Sequence, residues 1–418
     1  MQEISYLNIK FRTKRVLFLF LFVSSFIIYI GMTSLSVAED DTSDILKRLE
    51  KIEESTDEES LAKKFDLSLY GYVSASYTHN FNNPNSQANA LRIFDGDANS
   101  FRPNMAQIVF EKEGKVDGAM VDRAGFRIKL NFGEDAKFTG GNTGEDEVDF
   151  QEAYAQYVAP VGNGLDLRIG RMNTLIGYEV IESPFNPNFS RSWLFGLGEP
   201  FTTTGIRGTY VFSESVTFSI GGINSFTGAQ EDPNRSKSVE ALLGLTPVDW
   251  LGVSIFGFWG PEGDIGAKNA DRVLVGGIID IQATDQTEFV VEAYYANQAN
   301  ATPGVNARWN GVAGYVIHDF TDQWGVRVRG ELFEDADGFL GCGGSVVRAG
   351  RANTCFGDVA PASQTLWEGT LTLQYKPVPS LLTRLEFRYD KSNRNTFQFG
   401  NRSANHQETL AAEVAYLF

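Results

Sequence analysis

Residues 122–133 read Asp-Arg-Ala-Gly-Phe-Arg-Ile-Lys-Leu-Asn-Phe-Gly, and the period of this stretch decides the fold. Ala124, Phe126, Ile128, Leu130 and Phe132 share one face of an extended chain, while Arg123, Arg127, Lys129 and Asn131 share the other. Charges at every second position cannot face a dry core without partners. They can line water while the apolar face meets lipid, which inverts a soluble sheet and is the pattern of a transmembrane β-barrel. Two later stretches repeat it. Trp324, Val326, Val328 and Leu332 oppose Arg327, Arg329 and Glu331, and Leu385, Phe387 and Tyr389 oppose Arg384, Glu386, Arg388 and Asp390.

Outward from there, about 16 segments of this kind run from residue 65 to 418, separated by turn chemistry. Short connections fall at 160–164, 212–215, 246–249, 284–286, 320–323 and 376–380. Long ones fall near 81–103, 134–148, 174–200, 227–236, 260–269, 298–306, 335–361 and 392–404. Alternating short and long connections with an even strand count predict an all-β, antiparallel transmembrane barrel, its short turns periplasmic and its long loops extracellular. Closure satisfies every backbone pair, as lipid requires. The last segment ends in an aromatic face, Leu410, Ala412, Val414, Tyr416 and Phe418. It resembles the terminal strand of bacterial outer-membrane proteins, where the assembly machinery reads the final Phe.

The N-terminus agrees with export. Lys10, Arg12, Lys14 and Arg15 precede an apolar run from Val16 to Ile30, and Ser36-Val37-Ala38 offers small residues at a cleavage position. The run is shorter than the roughly 20 residues of a membrane-spanning helix, so residues 1–38 are read as a signal peptide. Its removal takes four basic residues and one acidic residue from totals of 36 and 53, leaving 32 against 52. That balance disfavours nucleic acid as a partner. Residues 39–64 form a charged leader with Ile45, Leu49 and Ile52 spaced as a coiled-coil seam. The pattern is also that of a solvated periplasmic helix.

One long connection stands out. Residues 174–200 carry Pro184, Pro187 and Pro200, which oppose a helix or a central strand. With Tyr178, Phe185, Phe189, Trp193 and Phe195, the segment is too aromatic for a solvated linker. Gly177-Tyr-Glu179, Ser183-Pro-Phe-Asn-Pro-Asn-Phe-Ser190, Arg191-Ser-Trp-Leu-Phe195, Glu199-Pro200 and Thr204-Gly205 resemble the OmpL-like outer-membrane porin family, the beta-barrel porins of the second type. The resemblance implies a passive pore for small hydrophilic solutes or ions in a Gram-negative outer membrane, among lipid and lipopolysaccharide. It brings no cofactor and no catalytic residue.

In general porins the third extracellular loop folds into the lumen, and 174–200 is the third long loop here. The expected architecture is therefore a barrel with an inward-folded third extracellular loop. The candidate constriction and lumen residues are Arg127, Lys129, Arg168, Glu179, Glu182, Arg191, Glu199 and Arg207. Two readings stand. Loop carboxylates opposite basic strands would make a transverse field that filters solutes by charge, or Arg171, Glu179 and Arg191 pair among themselves and anchor the loop. A loop that closes the lumen entirely would leave a structural barrel without channel activity.

Cys342 and Cys355 lie in one Gly-rich loop on an oxidising route, so a disulfide is expected. No nearby His completes a metal site. Acidic clusters at Asp95 and Asp97, at Glu145, Asp146, Glu147 and Asp149, and at Glu334, Asp335 and Asp337 read as a charged rim or as oxygen ligands for divalent cations. His79 and His406 approach the same rim on the first and last strands. The three histidines show no Ser/His or Asp/His constellation, which argues against a barrel hydrolase. The barrel is expected to form an oligomer.

Overall fold

The computed structural model describes residues 66–418 except 140–146, 227–231, 233, 264–269, 303 and 341–362. The signal and leader (1–64) and the pair Cys342 and Cys355 lie outside the described residues. Residues Leu69–Phe418 form one compact unit.

Period-2 alternation yields the strands in order: β1 (Ser68–Asn80), β2 (Ser100–Lys112), β3 (Ala124–Phe132), β4 (Val148–Ala159), β5 (Leu165–Asn173), β6 (Thr202–Ser213), β7 (Val216–Ile223), β8 (Ser238–Val248) and β9 (Leu251–Pro261). They continue as β10 (Asp271–Thr284), β11 (Thr287–Thr302), β12 (Val305–Asp319), β13 (Trp324–Asp335), β14 (Gln364–Val378) and β15 (Leu381–Ser392). A small hairpin, β16 (Phe397–Phe399) and β17 (Arg402–Ala404), precedes β18 (His406–Leu417). Apart from that hairpin, the strands form one closed antiparallel barrel of sixteen. β18 pairs with β15 and closes on β1, with Tyr72 opposite Leu417 and Asn80 opposite Thr409. Closure leaves no strand edge unpaired, the condition that lipid imposes.

The faces are inverted as the alternation requires. On β13, Trp324, Val328 and Leu332 are exposed, while Arg327, Arg329 and Glu331 are buried. On β15, Leu385 and Phe387 are exposed and Arg384, Glu386, Arg388 and Asp390 are buried. The buried, polar parity is the inner face. It changes character around the barrel. On β9–β12 it carries Phe256, Phe258, Leu274, Val290, Tyr294, Trp309 and Tyr315, all buried and joined in one apolar cluster.

Two connections depart from expectation. The long loop placed near 298–306 is mostly strand: β11 runs to Thr302 and β12 starts at Val305, after a register irregularity between Gln298 and Thr302. The polar composition there belongs to strand ends, not to a loop. Among the connections at the opposite end, residues 113–123 between β2 and β3 form a longer turn, closed by Lys115 N–H to Asp122 O at 2.8 Å.

Candidate functional site

The β5–β6 connection, 174–200, has little regular structure. Pro184 opens a single 3-10 turn at Ser183–Phe185, and a wide turn follows at Leu194–Gly198. Most of its residues are nonetheless buried. A chain without its own hydrogen-bond ladder must find other partners when buried, and this one finds them on the inner face.

Carboxylates there accept loop N–H groups. Glu331 on β13 takes Trp193 N at 2.7 Å and Leu194 N at 2.6 Å. Glu386 on β15 takes Phe189 N at 2.7 Å and Ser190 N at 2.9 Å. Glu292 on β11 takes Tyr178 N at 3.1 Å. Donors on the same face satisfy loop carbonyls: Arg384 at Ser183 O, Arg329 at Ser190 O, Arg388 at Arg191 O, the Tyr294 hydroxyl at Leu194 O and Trp309 Nε1 at Gly198 O. Hydrogen bonds to charged groups contribute about 1.5–3 kcal/mol each, so this seat is strongly directional. It is also close. A Cβ added at Gly198 would lie 1.9 Å from the Tyr294 hydroxyl and 3.0 Å from Trp309. Gly177 has φ +93°, and a Cβ there would meet the Glu199 carboxylate.

Each candidate charge from the sequence has a definite place. Arg127 pairs with Glu111 at 2.6 Å, its direct cross-strand neighbour. Lys129 lies between Glu152 (2.8 Å) and the loop's Glu182 (2.6 Å). Arg168 pairs with Asp166 at 2.8 Å beside the Tyr154 ring, and Arg207 with Glu240 at 2.6 Å. Glu179 takes Arg329 at 2.7 Å, and its other oxygen accepts from Ser192 N and Oγ. Arg191 donates to the loop's own carbonyls at Val180, Phe189 and Ile181. The Glu199 carboxyl hydrogen-bonds that of Glu292; burial first, and that neighbour second, hold it well above the ordinary carboxyl range. One of two bonded carboxyls must keep its proton.

Arg171, Glu179 and Arg191 therefore do not pair among themselves. Arg171 bonds Asp149 at 3.0 Å, Thr202 and Thr139 O, and is covered despite sharing parity with the exposed Ile169. The basic residues of β3, β5 and β6 are not an open cationic ring, because each has a carboxylate. Those of Arg127 and Arg168 remain the wettest, with side chains 23% exposed.

The acidic clusters are divided among separate partners. Asp95 pairs with Arg92, Asp97 with Arg102, Glu147 with Lys137 and Asp337 with Arg308, while Asp335 accepts Phe339 N and Leu340 N. Glu145 and Asp146 lie outside the described residues. His79 stacks edge-on with Phe81, and His406 lies over Tyr389.

The sequence placed the first long connection near 81–103, and the structure has it at 81–99 between β1 and β2, but its packing was not anticipated. Ala90, Leu91, Arg92, Ile93 and Phe94 are buried. Phe94 stacks on Phe201 at 5.6 Å and on Phe195 at 6.3 Å, and Arg191 lies over its ring. The available signal was the run Ala-Leu-Arg-Ile-Phe, more apolar than a solvated loop holds.

A closed sixteen-stranded barrel with an inverted face and this β5–β6 loop agrees with the model of the OmpL-like beta-barrel porin-2 family, which matches residues 66–418. The chain belongs to that family. As a member of the OmpL-like porins, it is a β-barrel channel protein of the bacterial outer membrane. Solved porins share the fold at low identity. The anion-selective porin from Comamonas acidovorans aligns with TM-score 0.56 at 10% identity, over 84% of this chain and 99% of that one. The outer-membrane channel DcaP of Acinetobacter baumannii gives 0.52 at 13%, over 84% and 97%. OmpT of Vibrio cholerae in its trimer form gives 0.54 at 12%, over 84% and 99%. No curated protein sequence matches the chain.

Proposed function

We propose that this OmpL-like porin passes small hydrophilic solutes or ions by passive diffusion, through a lumen narrowed by loop 174–200. The observation that carries the reading is the distribution of the loop's partners. They sit on the inner face of β3, β11, β12, β13, β15 and other strands, which supports a loop folded into the interior. Glu182 on Lys129 and Glu179 on Arg329 hold it on two sides. Selectivity is set by the wetter charges, Arg127 and Arg168 with their partners Glu111 and Asp166. Exposed charges farther than about 8–10 Å from a permeating ion are largely screened.

A second reading has one observation in its favour. Arg329, Arg388, Glu292 and Trp309 are fully buried on the inner face, whereas the charges of a water-filled lumen are wet. A barrel closed by its own loop would show this. Planar-bilayer recordings separate the two: a narrowed pore gives discrete conductance steps, and a closed barrel gives none.

The proposal includes export through the 1–38 signal, a Cys342–Cys355 disulfide formed on that route, assembly through the strand ending at Phe418, and a homo-oligomer like the trimer form of the Vibrio protein.

A further inference from the structure

Six alternating charges run without a gap from the first long loop to the third. Arg92 reaches Asp390 on β15 at 2.8 Å, and Asp390 takes Arg388 of the same strand at 2.7 Å. Arg388 faces Glu368 on β14 at 3.6 Å, and Glu368 takes Arg329 on β13 at 2.6 Å. Arg329 then holds Glu179 of loop 174–200 at 2.7 Å. No side chain in this ladder is more than 1% exposed. The four wall charges cancel among themselves, and the two ends belong to different loops. A buried charge whose partner leaves is strongly destabilised, so withdrawing Arg92 leaves Asp95 and Asp390 as two buried carboxylates, with Arg388 the remaining ion partner of Asp390 and the same Arg388 holding Arg191 O of loop 174–200. The apolar contact reinforces the coupling, since Phe94 stacks on Phe195 and Phe201 and carries Arg191 on its face.

We infer that Arg92 is a positioning residue for the constriction: the first loop holds loop 174–200 in its narrow seat through the wall ladder, and releasing Arg92 widens the pore. This rests on the reading that loop 174–200 narrows the lumen.

The test uses the full chain in planar bilayers and in liposomes swollen by sugars of graded size. Arg92→Ala is expected to raise unitary conductance roughly twofold and admit larger sugars. Arg92→Lys, which restores the charge, is expected to return both toward wild type. Arg308→Ala, which breaks a rim pair whose arginine side chain is 52% exposed, changes neither. Arg92→Gln replaces Arg92→Ala, with the same expected result, if the alanine variant does not reach the folded, heat-modifiable form. Deleting residues 183–190 keeps the two claims apart. If the deletion leaves conductance unchanged, the loop is not the constriction. If the deletion widens the pore but the folded Arg92 variant conducts like wild type, the inference about Arg92 is overturned.

Discussion

Two sectors of the inner wall hold the same loop by different physics. The β9–β12 sector is mainly apolar: Phe256, Leu274, Val290, Tyr294, Trp309 and Tyr315 cluster with Trp193, Leu194, Phe195 and Leu197 of the loop, with single backbone bonds added by Glu292, Tyr294 and Trp309. Burial of such area is non-directional and tolerates small shifts. The β13–β15 sector is charged. Glu331, Glu386, Arg329, Arg384 and Arg388 bond individual N–H and C=O groups of the loop. Directional bonds fix position, and each leaves a buried polar group stranded when broken. One sector supplies adhesion and the other supplies register. A loop with almost no internal ladder needs both.

The comparison can be broken from either side. Trp309→Ala is expected to have the largest effect, about 3–5 kcal/mol, because it empties a large volume beside Gly198 and removes the bond to its carbonyl. Urea unfolding in lipid vesicles measures it; a loss no larger than that of the rim control Arg308→Ala would mean that the apolar sector does not seat the loop. Glu386→Ala should cost somewhat less, about 2–4 kcal/mol, by stranding Phe189 N–H and Ser190 N–H. Its distinctive readout is new conductance substates, since register is lost while adhesion remains. A stable variant with a single quiet level would remove the distinction between the sectors.

At the junction of the sectors, Glu199 gives a pH test. Its carboxyl is held above the ordinary value of 4.5, by burial and then by Glu292. As pH rises past that value, the unfolded chain ionises before the folded one, so stability falls until the folded carboxyl also ionises. Unfolding midpoints of the wild type should decline with rising pH over that window, and Glu199→Gln should flatten the decline. The smallest effect is expected at the wet pairs. Arg127→Gln leaves Glu111 without its ion partner while Glu152 keeps Lys129, and should move the reversal potential in a salt gradient slightly toward cations.

Much of this was legible in the chain. Alternation located the barrel strands closely, because a lipid-facing wall imposes period 2 on every one of them. Several lumen pairs also follow from hairpin register, as with Glu111 opposite Arg127 and Lys129 opposite Glu152. The loop's address as the third long connection was readable from the alternation of connection lengths. Its partners were not. Glu331 and Glu386 meet backbone atoms of residues more than a hundred positions away, and backbone groups carry no sequence signature. The first loop was obscured differently. Asp95 and Asp97 suggested a wet acidic rim, but Arg92 and Arg102 neutralise them. The β11–β12 connection misled because polar residues at the outer end of tall strands look like a loop.

The central claim is that loop 174–200 narrows an open lumen. Single-channel recording of the full chain beside a variant lacking residues 183–190 tests it most directly. The account predicts small discrete steps for the full chain and larger steps for the shortened one. Equal steps from both proteins, or none from the full chain, would contradict it.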